Sequence, residues 1–479
     1  MTSIENILFQ HGPMMSSELA NRLHSKESIP LNTASQKVSR NGKIKKIKGF
    51  YTSNQSFCFL EQHEQSGMFY ERFVKSLYEN GKKYWYCINA LKLHGGMLRK
   101  DFLECYTNYP IQALKGHLPF NKVLQKFVEQ GILVYNSPYY AIAPKFSMQR
   151  NSSVANRTIE MIKTDTLSSF HSLVKNIGLI SFNTGEYFAE YGKFRWSFKG
   201  VSAVTGLFQN GSPGFLLADI LLGTSIYKDD VNFFIEKIKS IQSFSNAPRL
   251  IPFLIVDDLD KEALGLLKQK GVVVGFIKEL FGQKYAETLK ELVSILTNAG
   301  ASLKKSPEKY LDLIKQLKKY NEGLVNNIRG TLFEYMVGHI HSIDCQSIDL
   351  GREIIENNAR HEMDILAIYS DRIVIAECKA KKSQIDFDVI DKWISVKIPA
   401  FKNWFDKQET YKKKHLEFEF WSTSGFTETA LDKLEKFSNS AQKYKVIYKQ
   451  AEDMRQIARD MDNKKLKEEL DNFFLKTDV

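Results

Sequence analysis

The chain has 479 residues, of which 43% are hydrophobic and 25% are charged, so it is long enough for three or four folded domains and too apolar for a disordered or fibrous protein. Its five cysteines include no CxxC pair, which argues against a disulfide framework or a zinc cluster and favours a reducing, cytoplasmic environment. The net charge of +12 favours a polyanionic partner such as nucleic acid, although surface lysines also serve solubility.

Residues 1–65 have the pattern of three short helices followed by a hairpin. Helices are predicted at residues 4–10, 16–23 and 31–40. In the third helix Leu31, Ala34 and Val38 fall on one face, which leaves the polar side chains outward. Residues 43–48 and 57–60 alternate like the two strands of a wing.

This first segment resembles a winged helix-turn-helix domain. The resemblance implies that the third helix enters the major groove of DNA while the wing touches phosphates. The side chains expected to contact DNA are Gln36, Lys37, Arg40, Lys43, Lys45 and Lys46.

Residues 66–150 have a similar pattern, which predicts a second winged helix-like domain. Residues 120–128 predict an amphipathic helix, and residues 131–135 and 139–142 predict a hairpin. The side chains expected inward are Phe120, Val123, Leu124, Phe127 and Val128, and those expected to contact DNA are Lys122 and Lys126. A module of this kind can equally serve protein docking or a purely structural role.

Residues 151–305 predict a middle α/β domain. A strand at residues 249–257, a helix at 261–270 and a strand at 272–277 follow one another. Residues 215–222 form the most apolar stretch, but Asp219 interrupts it, so we expect no membrane segment.

Residues 306–479, which an amphipathic helix at 306–320 introduces, carry the residues that predict chemistry. The apolar runs at residues 365–368 and 372–376 predict the two strands of a hairpin. Asp364 precedes the first strand, and Glu377 and Lys379 follow the second. Residues two apart in a strand share a face, so Glu377 and Lys379 point the same way. Glu334 lies on a predicted helix at residues 332–338, where Gly338 leaves room beside it. A further strand, helix and strand are predicted at residues 416–426, 427–437 and 444–448.

These side chains suit metal-dependent phosphodiester hydrolysis. Asp364 and Glu377 can together hold Mg²⁺ through oxygen ligands, and Glu334 can add a third carboxylate for a second metal or a metal-bound water. Lys379 can orient the attacking water and offset transition-state charge. The alternative interpretation is that these carboxylates are ordinary solvated groups at strand ends.

The pattern resembles the PD-(D/E)xK nucleases, the restriction-endonuclease-like superfamily, and looks closest to Mrr-type restriction enzymes. Asp364 follows Met363 where the family often has Pro. The resemblance implies a C-terminal restriction-endonuclease-like α/β core with catalytic Glu334, Asp364, Glu377 and Lys379. It also implies metal ligation by Asp364, Glu377 and Glu334, with Mg²⁺ as cofactor and Mn²⁺ able to substitute. Lys381 lies two residues after Lys379, so in an extended chain it points to the same face, and we expect it to contact the DNA backbone.

The middle domain echoes this last domain. Asp219 aligns with Glu377, but Leu221 stands where Lys379 would be, and residues 185–190 faintly echo residues 330–334. The interpretation is a degenerate nuclease-like fold that lost its chemistry. An unrelated α/β domain is the alternative, because strand-helix-strand order is common.

The sequence thus predicts a multidomain α/β and α+β protein that acts as a Mg²⁺-dependent DNA endonuclease. The resemblance implies microbial restriction or antiphage defence, with a possible protein partner in such a system. Cutting both strands with one site per chain predicts a homodimer or higher oligomer. The alternatives are a catalytically inert DNA-binding regulator or scaffold, and a nuclease that acts on RNA.

Overall fold

The computed structural model describes residues 2–64, 66–146, 151–202, 204–209, 211–223, 225–244, 246–357 and 359–475. The chain divides into two compact units. The N-terminal unit comprises Met1–Arg150 and Thr166–Leu280, and the C-terminal unit comprises Asn151–Asp165 and Phe281–Val479. No helix in the described ranges is long and apolar enough to cross a membrane.

The first segment of the N-terminal unit contains the three predicted helices and the predicted hairpin. Its elements are α1 Ser3–His11, β1 Met14–Met15, α2 Ser16–Glu27, α3 Leu31–Arg40, β2 Lys45–Lys48 and β3 Ser56–Phe59. Strand β1 adds to the hairpin, which gives an antiparallel sheet in the order β1-β3-β2. Ala34 and Val38 are buried as predicted, but Leu31 is 45% exposed, because it occupies the first turn of α3.

The next segment continues the same unit. Its elements are α4 Gly67–Asn80, α5 Lys82–Leu93, β4 Met97–Arg99, α6 Lys100–Cys105, α7 Phe120–Glu129, β5 Leu133–Asn136 and β6 Tyr139–Ile142. The predicted helix and hairpin are confirmed, and β4 makes the sheet three-stranded in the order β4-β6-β5. Phe120, Val123, Leu124 and Phe127 are buried as expected, whereas Val128 is 38% exposed.

The middle segment forms a five-stranded sheet. Helix α8, Ser153–Asn176, leads into β7 Glu186–Tyr191, β8 Phe194–Val201, β9 Phe215–Leu221, α9 Asn232–Gln242, β10 Leu250–Val256, α10 Lys261–Gln269, β11 Val273–Phe276 and α11 Ile277–Phe281. The predicted strand-helix-strand order of its last part is confirmed. The suggested likeness of residues 185–190 to the helix that carries Glu334 is wrong, because these residues lie almost entirely in strand β7.

The predicted boundary at residue 150 does not separate two cores in the N-terminal unit. One apolar cluster includes Phe102 and Phe127 from the second segment together with Trp196, Phe234 and Leu254 from the middle segment. Arg195 in β8 also pairs with Glu104 in α6. These segments share buried surface, which explains why they group as one compact unit.

The C-terminal unit begins with helices and continues into a second five-stranded sheet. The helices are α12 Gln283–Thr297, α13 Ala299–Lys305, α14 Lys309–Tyr320, α15 Glu322–Asn327 and α16 Arg329–Ser342. The sheet and its helices are β12 Ser347–Glu356, β13 Ala359–Ile368, β14 Arg372–Lys379, α17 Phe387–Lys392, α18 Ile398–Asp406, β15 His415–Ser422, α19 Glu428–Ser440, β16 Lys445–Lys449, α20 Ala451–Asp460 and α21 Lys464–Glu469. Tyr335 in α16 donates to the Ile295 carbonyl in α12 at 2.7 Å, so this unit starts earlier than the predicted boundary at residue 306.

The strands predicted for this unit are confirmed; β13 and β14 run longer than predicted, whereas β15 ends at Ser422, before the predicted end at residue 426. Strands β13 and β14 form the expected antiparallel hairpin. Thr427, expected to start the helix after β15, instead caps it, and its hydroxyl accepts from the Ala430 amide. Gly338 is predicted to leave room beside Glu334, but it faces Leu303 instead. A Cβ at residue 338 would lie 2.9 Å from Leu303 Cδ1. Gly338 allows α16 to pack closely against α13 and β12.

The two five-stranded sheets have the same strand order and directions. In each sheet the first three strands in chain order pair antiparallel, and the third, fourth and fifth pair parallel. Ile365 pairs with Ala376, so the next pair in that register is Asp364 with Glu377. Phe198 pairs with Ala218, so the corresponding next pair is Ser197 with Asp219. Leu221 then occupies the position of Lys379.

Candidate active site

Strands β13 and β14 bring three of the four predicted catalytic residues into direct contact. Strand β14 is apolar and buried over most of its length, and β13 over its second half. The polar residues stand at the ends of these apolar runs. The Cys378 amide donates to Asp364 Oδ2 at 2.8 Å. Lys379 Nζ lies 2.7 Å from Glu377 Oε1 and 3.4 Å from Asp364 Oδ2. Asp364 and Glu377 are buried, at 7% and 5% exposure, so these ion pairs are shielded from solvent.

A second lysine, which the sequence analysis missed, completes the contacts of Glu377. Lys397 Nζ lies 2.8 Å from Glu377 Oε1 and 2.6 Å from Oε2. It ends a π-helical turn, Trp393–Lys397, between α17 and α18 in the crossover from β14 to β15. Local spacing gives no signal for this contact, because the crossover folds back onto β14 only in the tertiary structure.

Glu334 on α16 is the fourth predicted residue, and it lies in the same electrostatic environment without a direct contact. Its Oε2 is buried and has no hydrogen-bond partner among the described residues. Burial raises the pKa of Glu334 well above its ordinary value, and the charges of Asp364 and Glu362 raise it further. An unpaired buried carboxyl oxygen is costly, so this atom is suited to a protonated carboxyl group or to a cation.

Burial and neighbouring charges shift the pKa values of Glu377, Lys379 and Asp364 in different directions. Burial favours neutral groups, but Lys379 and Lys397 outweigh it and lower the pKa of Glu377. Burial also works against the Lys379 ammonium, yet Asp364 and Glu377 raise its pKa above the ordinary value. For Asp364, burial and then the Glu377 charge raise the pKa to about 6. Near neutral pH the cluster therefore contains the Lys379 ammonium beside ionised Asp364 and Glu377.

The first part of helix α8, up to Asp165, belongs to the C-terminal unit. It contributes a further set of polar contacts there. Ser153 Oγ donates to Glu362 Oε1, and Arg157 lies 3.3 Å from Glu362 Oε2. The Arg157 side chain is 51% exposed and lowers the pKa of Glu334 as a minor contribution. These residues lie about two hundred positions upstream of the motif, so sequence spacing could not have found them.

The carboxylate oxygens of the site are suitable ligands for a hard divalent cation, but their arrangement in this structure is not that of a metal site. Within the described ranges, no group of three or more His, Cys, Asp or Glu side chains is arranged to hold a metal ion. Carboxylate oxygens are nevertheless the ligands that Mg²⁺ prefers, and Glu334 Oε2 is a buried oxygen without a partner in the described chain. Asp364 and Glu377 are thus the residues that would hold a cation, with Glu334 as the additional oxygen donor.

Several of the lysines predicted to contact DNA are engaged within the protein instead. Lys46 donates to the carbonyls of Ser39 and Asn41, each at 2.8 Å, and so caps the end of α3. Lys126 donates to the Gly49 carbonyl and to Tyr84 Oη, so it ties α7 to the loop after β2.

Two other predicted contacts form ion pairs that remain at the surface. Lys37 pairs with Glu27 at 2.8 Å, and Lys45 pairs with Glu61 and Glu64 at 3.0 and 3.2 Å. The predicted contacts that are exposed and make no side-chain hydrogen bond or ion pair with described residues are Gln36, Arg40, Lys43, Lys122 and Lys381.

A polar cleft lies between the start of α2, helix α3 and the hairpin of the first segment. Its volume is about 570 Å³. Hydroxyl, amide and lysine side chains line most of it, including Ser16, Ser39, Lys48, Asn54 and Gln55. Lys48, outside the predicted contact set, is exposed at this cleft.

The equivalent position in the middle sheet is closed. Lys237 on α9 lies 2.6 Å from Asp219 Oδ2, and both side chains are 0% exposed. Ser197 donates to Asp219 Oδ1 from its amide and hydroxyl, while Lys237 also donates to the carbonyls of Cys105 and Arg195. Every donor of this ammonium has an acceptor, so the cluster stabilises the fold and leaves no accessible reactive group.

Comparison with known proteins finds no matching family model, no matching curated protein and no matching solved structure.

Proposed function

We propose that this protein is a metal-dependent endonuclease that hydrolyses phosphodiester bonds in DNA. The observation that carries the proposal is the convergence of Asp364, Glu377 and Lys379 at the ends of the two central strands. These are the residue types, in the chain order, of the PD-(D/E)xK nucleases that the sequence resembles. Buried acids beside a charged lysine cost folding free energy, which is a feature of functional sites.

Each residue has a role that follows from its surroundings. The ammonium of Lys379 stays charged, so it can orient an attacking water and offset the charge that develops on the phosphate oxygens. Asp364 and Glu377 would hold the divalent cation. Once bound there, the cation would polarise the phosphate and lower the pKa of a bound water. Glu334, whose Oε2 is buried without a hydrogen-bond partner among the described residues, would add a further oxygen donor to that cation.

The basic first segment supports DNA as the substrate. Three helices followed by a hairpin resemble a winged helix, and the exposed Gln36 and Arg40 lie on its third helix. The polar cleft beside that helix offers hydroxyl and lysine groups of the kind that contact phosphates. We assign this segment to DNA retention, and the exposed Lys381 to backbone contact near the site.

The middle sheet is best explained as a degenerate copy of the C-terminal one. It has the same strand order, but Ser197 and Leu221 stand at the positions of Asp364 and Lys379. Without a second acid and the lysine it cannot hold a comparable site. Its role in this proposal is structural.

The test is cleavage of supercoiled plasmid in Mg²⁺ or Mn²⁺ by wild-type protein, Asp364→Asn and Lys379→Met. Loss of one such group is expected to slow cleavage by about 10²–10³-fold, while DNA binding stays close to wild type. Asp371→Asn is the matched control, because Asp371 lies in the turn between the same strands and its side chain is 67% exposed. Undiminished cleavage by both site variants would remove the assignment.

One observation favours a second candidate, a catalytically inert DNA-binding protein. Both oxygens of Glu377 are occupied by lysines, and the described residues include no group of three metal-ligating side chains. This candidate predicts salt-sensitive DNA binding without nicking in either metal.

Further measurements test the substrate and the oligomeric state. Linear duplex, single-stranded DNA and RNA in the same assay distinguish a DNA endonuclease and an inert DNA-binding protein from an RNA-directed nuclease. Sedimentation with and without DNA tests the proposed homodimer. Activity on phage DNA in cells would test a role in microbial restriction or antiphage defence.

A further inference from the structure

Glu377 is held by two lysines that differ in how firmly they are fixed. Lys379 lies between Glu377 and Asp364, and it also donates to the Cys378 carbonyl. Lys397 makes hydrogen bonds within the described chain to the two oxygens of Glu377 and to nothing else. The side chains of Lys397 and Lys379 are similarly exposed, at 24% and 28%, so the two lysines differ in the number of their contacts. Lys397 can therefore leave Glu377 for solvent, whereas Lys379 would give up three contacts.

The middle sheet shows what a permanently fixed lysine looks like at this position. Lys237 also lies in the crossover between the third and fourth strands of its sheet, and it also pairs with the acid of the third strand. It is completely buried, donates to two carbonyls and lies 4.0 Å from the ring centroid of Trp196. Lys397 has none of these additional contacts among the described residues.

The backbone around Lys397 is also irregular. It ends a π-helical turn, and Pro399 follows two residues later. Proline lacks the amide hydrogen of a regular helical turn, which favours such an interruption. Single π-helical turns inside helices often occur at functional sites, because they redirect one side chain. Here the turn directs Lys397 at a carboxylate that would bind metal.

We propose that Lys397 is a latch that occupies the metal-ligating oxygens of Glu377 and is displaced when a divalent cation binds there. The inference rests on the proposed metal-dependent function of this site. The ammonium and the cation compete for the same carboxylate oxygens, and their charges repel each other at short range. Lys397 is thus a positioning residue that sets the metal affinity, distinct from the catalytic role of Lys379.

The experiment measures Mn²⁺ binding to the full-length protein by calorimetry or by electron paramagnetic resonance, with thermal unfolding in parallel. Lys397→Met removes the competing charge and keeps the length of the side chain, so Mn²⁺ should bind about tenfold more tightly. The same variant should have a lower Tm without Mn²⁺, since Glu377 loses a partner. A purely structural lysine would lower the Tm without tightening metal binding.

Lys397→Arg provides the opposite change and a test if the Met variant does not fold. A guanidinium group can hold a carboxylate through two parallel hydrogen bonds, so Mn²⁺ should bind more weakly than in wild type. Lys402→Met is the matched control, because Lys402 lies on α18 and pairs with Asp406 instead. It should bind Mn²⁺ with wild-type affinity.

Asp364→Asn distinguishes failure of the proposed metal site from failure of the Lys397 latch alone. If wild-type protein binds no Mn²⁺, or binds it as well as Asp364→Asn does, the proposed metal site itself is wrong. If Mn²⁺ binding depends on Asp364 but neither Lys397 variant changes the affinity in the expected direction, the latch alone is overturned.

Discussion

At the scale of single residues, burial and neighbouring charge decide which groups near the candidate site are ionised. Asp364 and Glu377 are both buried acids, yet the pKa of one is raised and that of the other lowered. The difference arises because two lysines contact Glu377 at short range, while Asp364 faces Lys379 at 3.4 Å and the negative charge of Glu377. The contacts of each carboxyl group, and not its residue type, therefore determine the direction of its pKa shift.

Cleavage is expected to lose rate as the pH falls below about 6, the raised pKa of Asp364. Below this value the Asp364 carboxyl group is protonated and loses its affinity for a cation. Because metal and proton compete, the acid limb of the single-turnover pH–rate profile should move to lower pH as Mg²⁺ is increased. An acid limb that ignores the metal concentration would contradict metal ligation by Asp364.

Glu419 illustrates a buried acid that serves stability. Burial opposes its charge, but His341 and the Trp421 indole N–H outweigh this and lower the pKa of Glu419. Glu419 Oε2 lies 2.7 Å from Trp421 Nε1 and 3.2 Å from His341 Nε2. A lowered carboxyl pKa stabilises the fold at pH values above the unfolded pKa of about 4.3, and this contribution is lost as the pH falls through the folded pKa.

Glu419→Gln is therefore expected to lower the free energy of unfolding at pH 7 by about 1.5–3 kcal/mol, the range for hydrogen bonds to charged groups. The difference from wild type should shrink as the pH is lowered towards 4. Urea unfolding at both pH values measures it. Glu409→Gln, at a side chain that is 83% exposed, should leave stability unchanged at either pH.

At the scale of elements, the third helix of the first segment shows that an exposed lysine pattern does not distinguish a DNA contact from a cap. Helix α3 ends with unpaired carbonyls, as all helices do, and Lys46 reaches back to the carbonyls of Ser39 and Asn41. Arg40, in the last turn of the same helix, is exposed and has no such partner in the described chain. The predicted set therefore divides into structural and available side chains.

Arg40→Ala is expected to weaken DNA binding and to reduce the slope of log affinity against log salt by about one, with little change in Tm. Lys46→Ala should instead destabilise the protein by about 1 kcal/mol through loss of its hydrogen bonds. Fluorescence anisotropy over a salt series and thermal unfolding measure the two effects. If Arg40→Ala lowered the Tm and left the slope intact, the assignment of α3 to DNA contact would fail.

At the scale of the whole molecule, the same strand order occurs in two sheets, and the ion pairs of the two sheets differ in their exposure to solvent. The C-terminal sheet buries its acids but leaves the lysines beside them partly accessible, since the side chains of Lys379 and Lys397 are 28% and 24% exposed. The middle sheet encloses Asp219 and Lys237 completely. A closed ion pair with every donor satisfied stabilises one arrangement of the core, and an accessible cluster remains available for binding.

Lys237→Met should destabilise the protein by about 3–5 kcal/mol, because it leaves the Asp219 charge buried without its cation. The double variant Asp219→Leu with Lys237→Met should recover part of this loss, since an apolar pair avoids the desolvation penalty. Urea unfolding of wild type, of the single variants Lys237→Met and Asp219→Leu, and of the double variant measures the coupling energy. A double variant no more stable than Lys237→Met would contradict a desolvation penalty for the unpaired Asp219 carboxylate.

Much of the local structure could be predicted from sequence, because hydrophobic periodicity acts over short distances. The hairpin that carries Asp364 and Glu377 follows from two apolar runs and a polar turn, as do helix α7 and the hairpin after it. The likeness of residues 185–190 to a helix failed because a few matching letters do not outweigh the tendency of Tyr and Phe to form strands.

The sequence alone determined the elements and the order of the acidic and basic residues along strands β13 and β14, since strand alternation fixes which side chains share a face. Only the tertiary structure decided that Lys397 and Arg157 approach the acids, that Lys46 and Lys126 are engaged, and that residues 66–150 share a core with the middle sheet. Most of these contacts join residues far apart in the chain, and the packing of whole elements, which no local pattern encodes, brings them together. The contacts of Lys46 are closer in sequence, but they depend on how the hairpin folds back onto the end of α3.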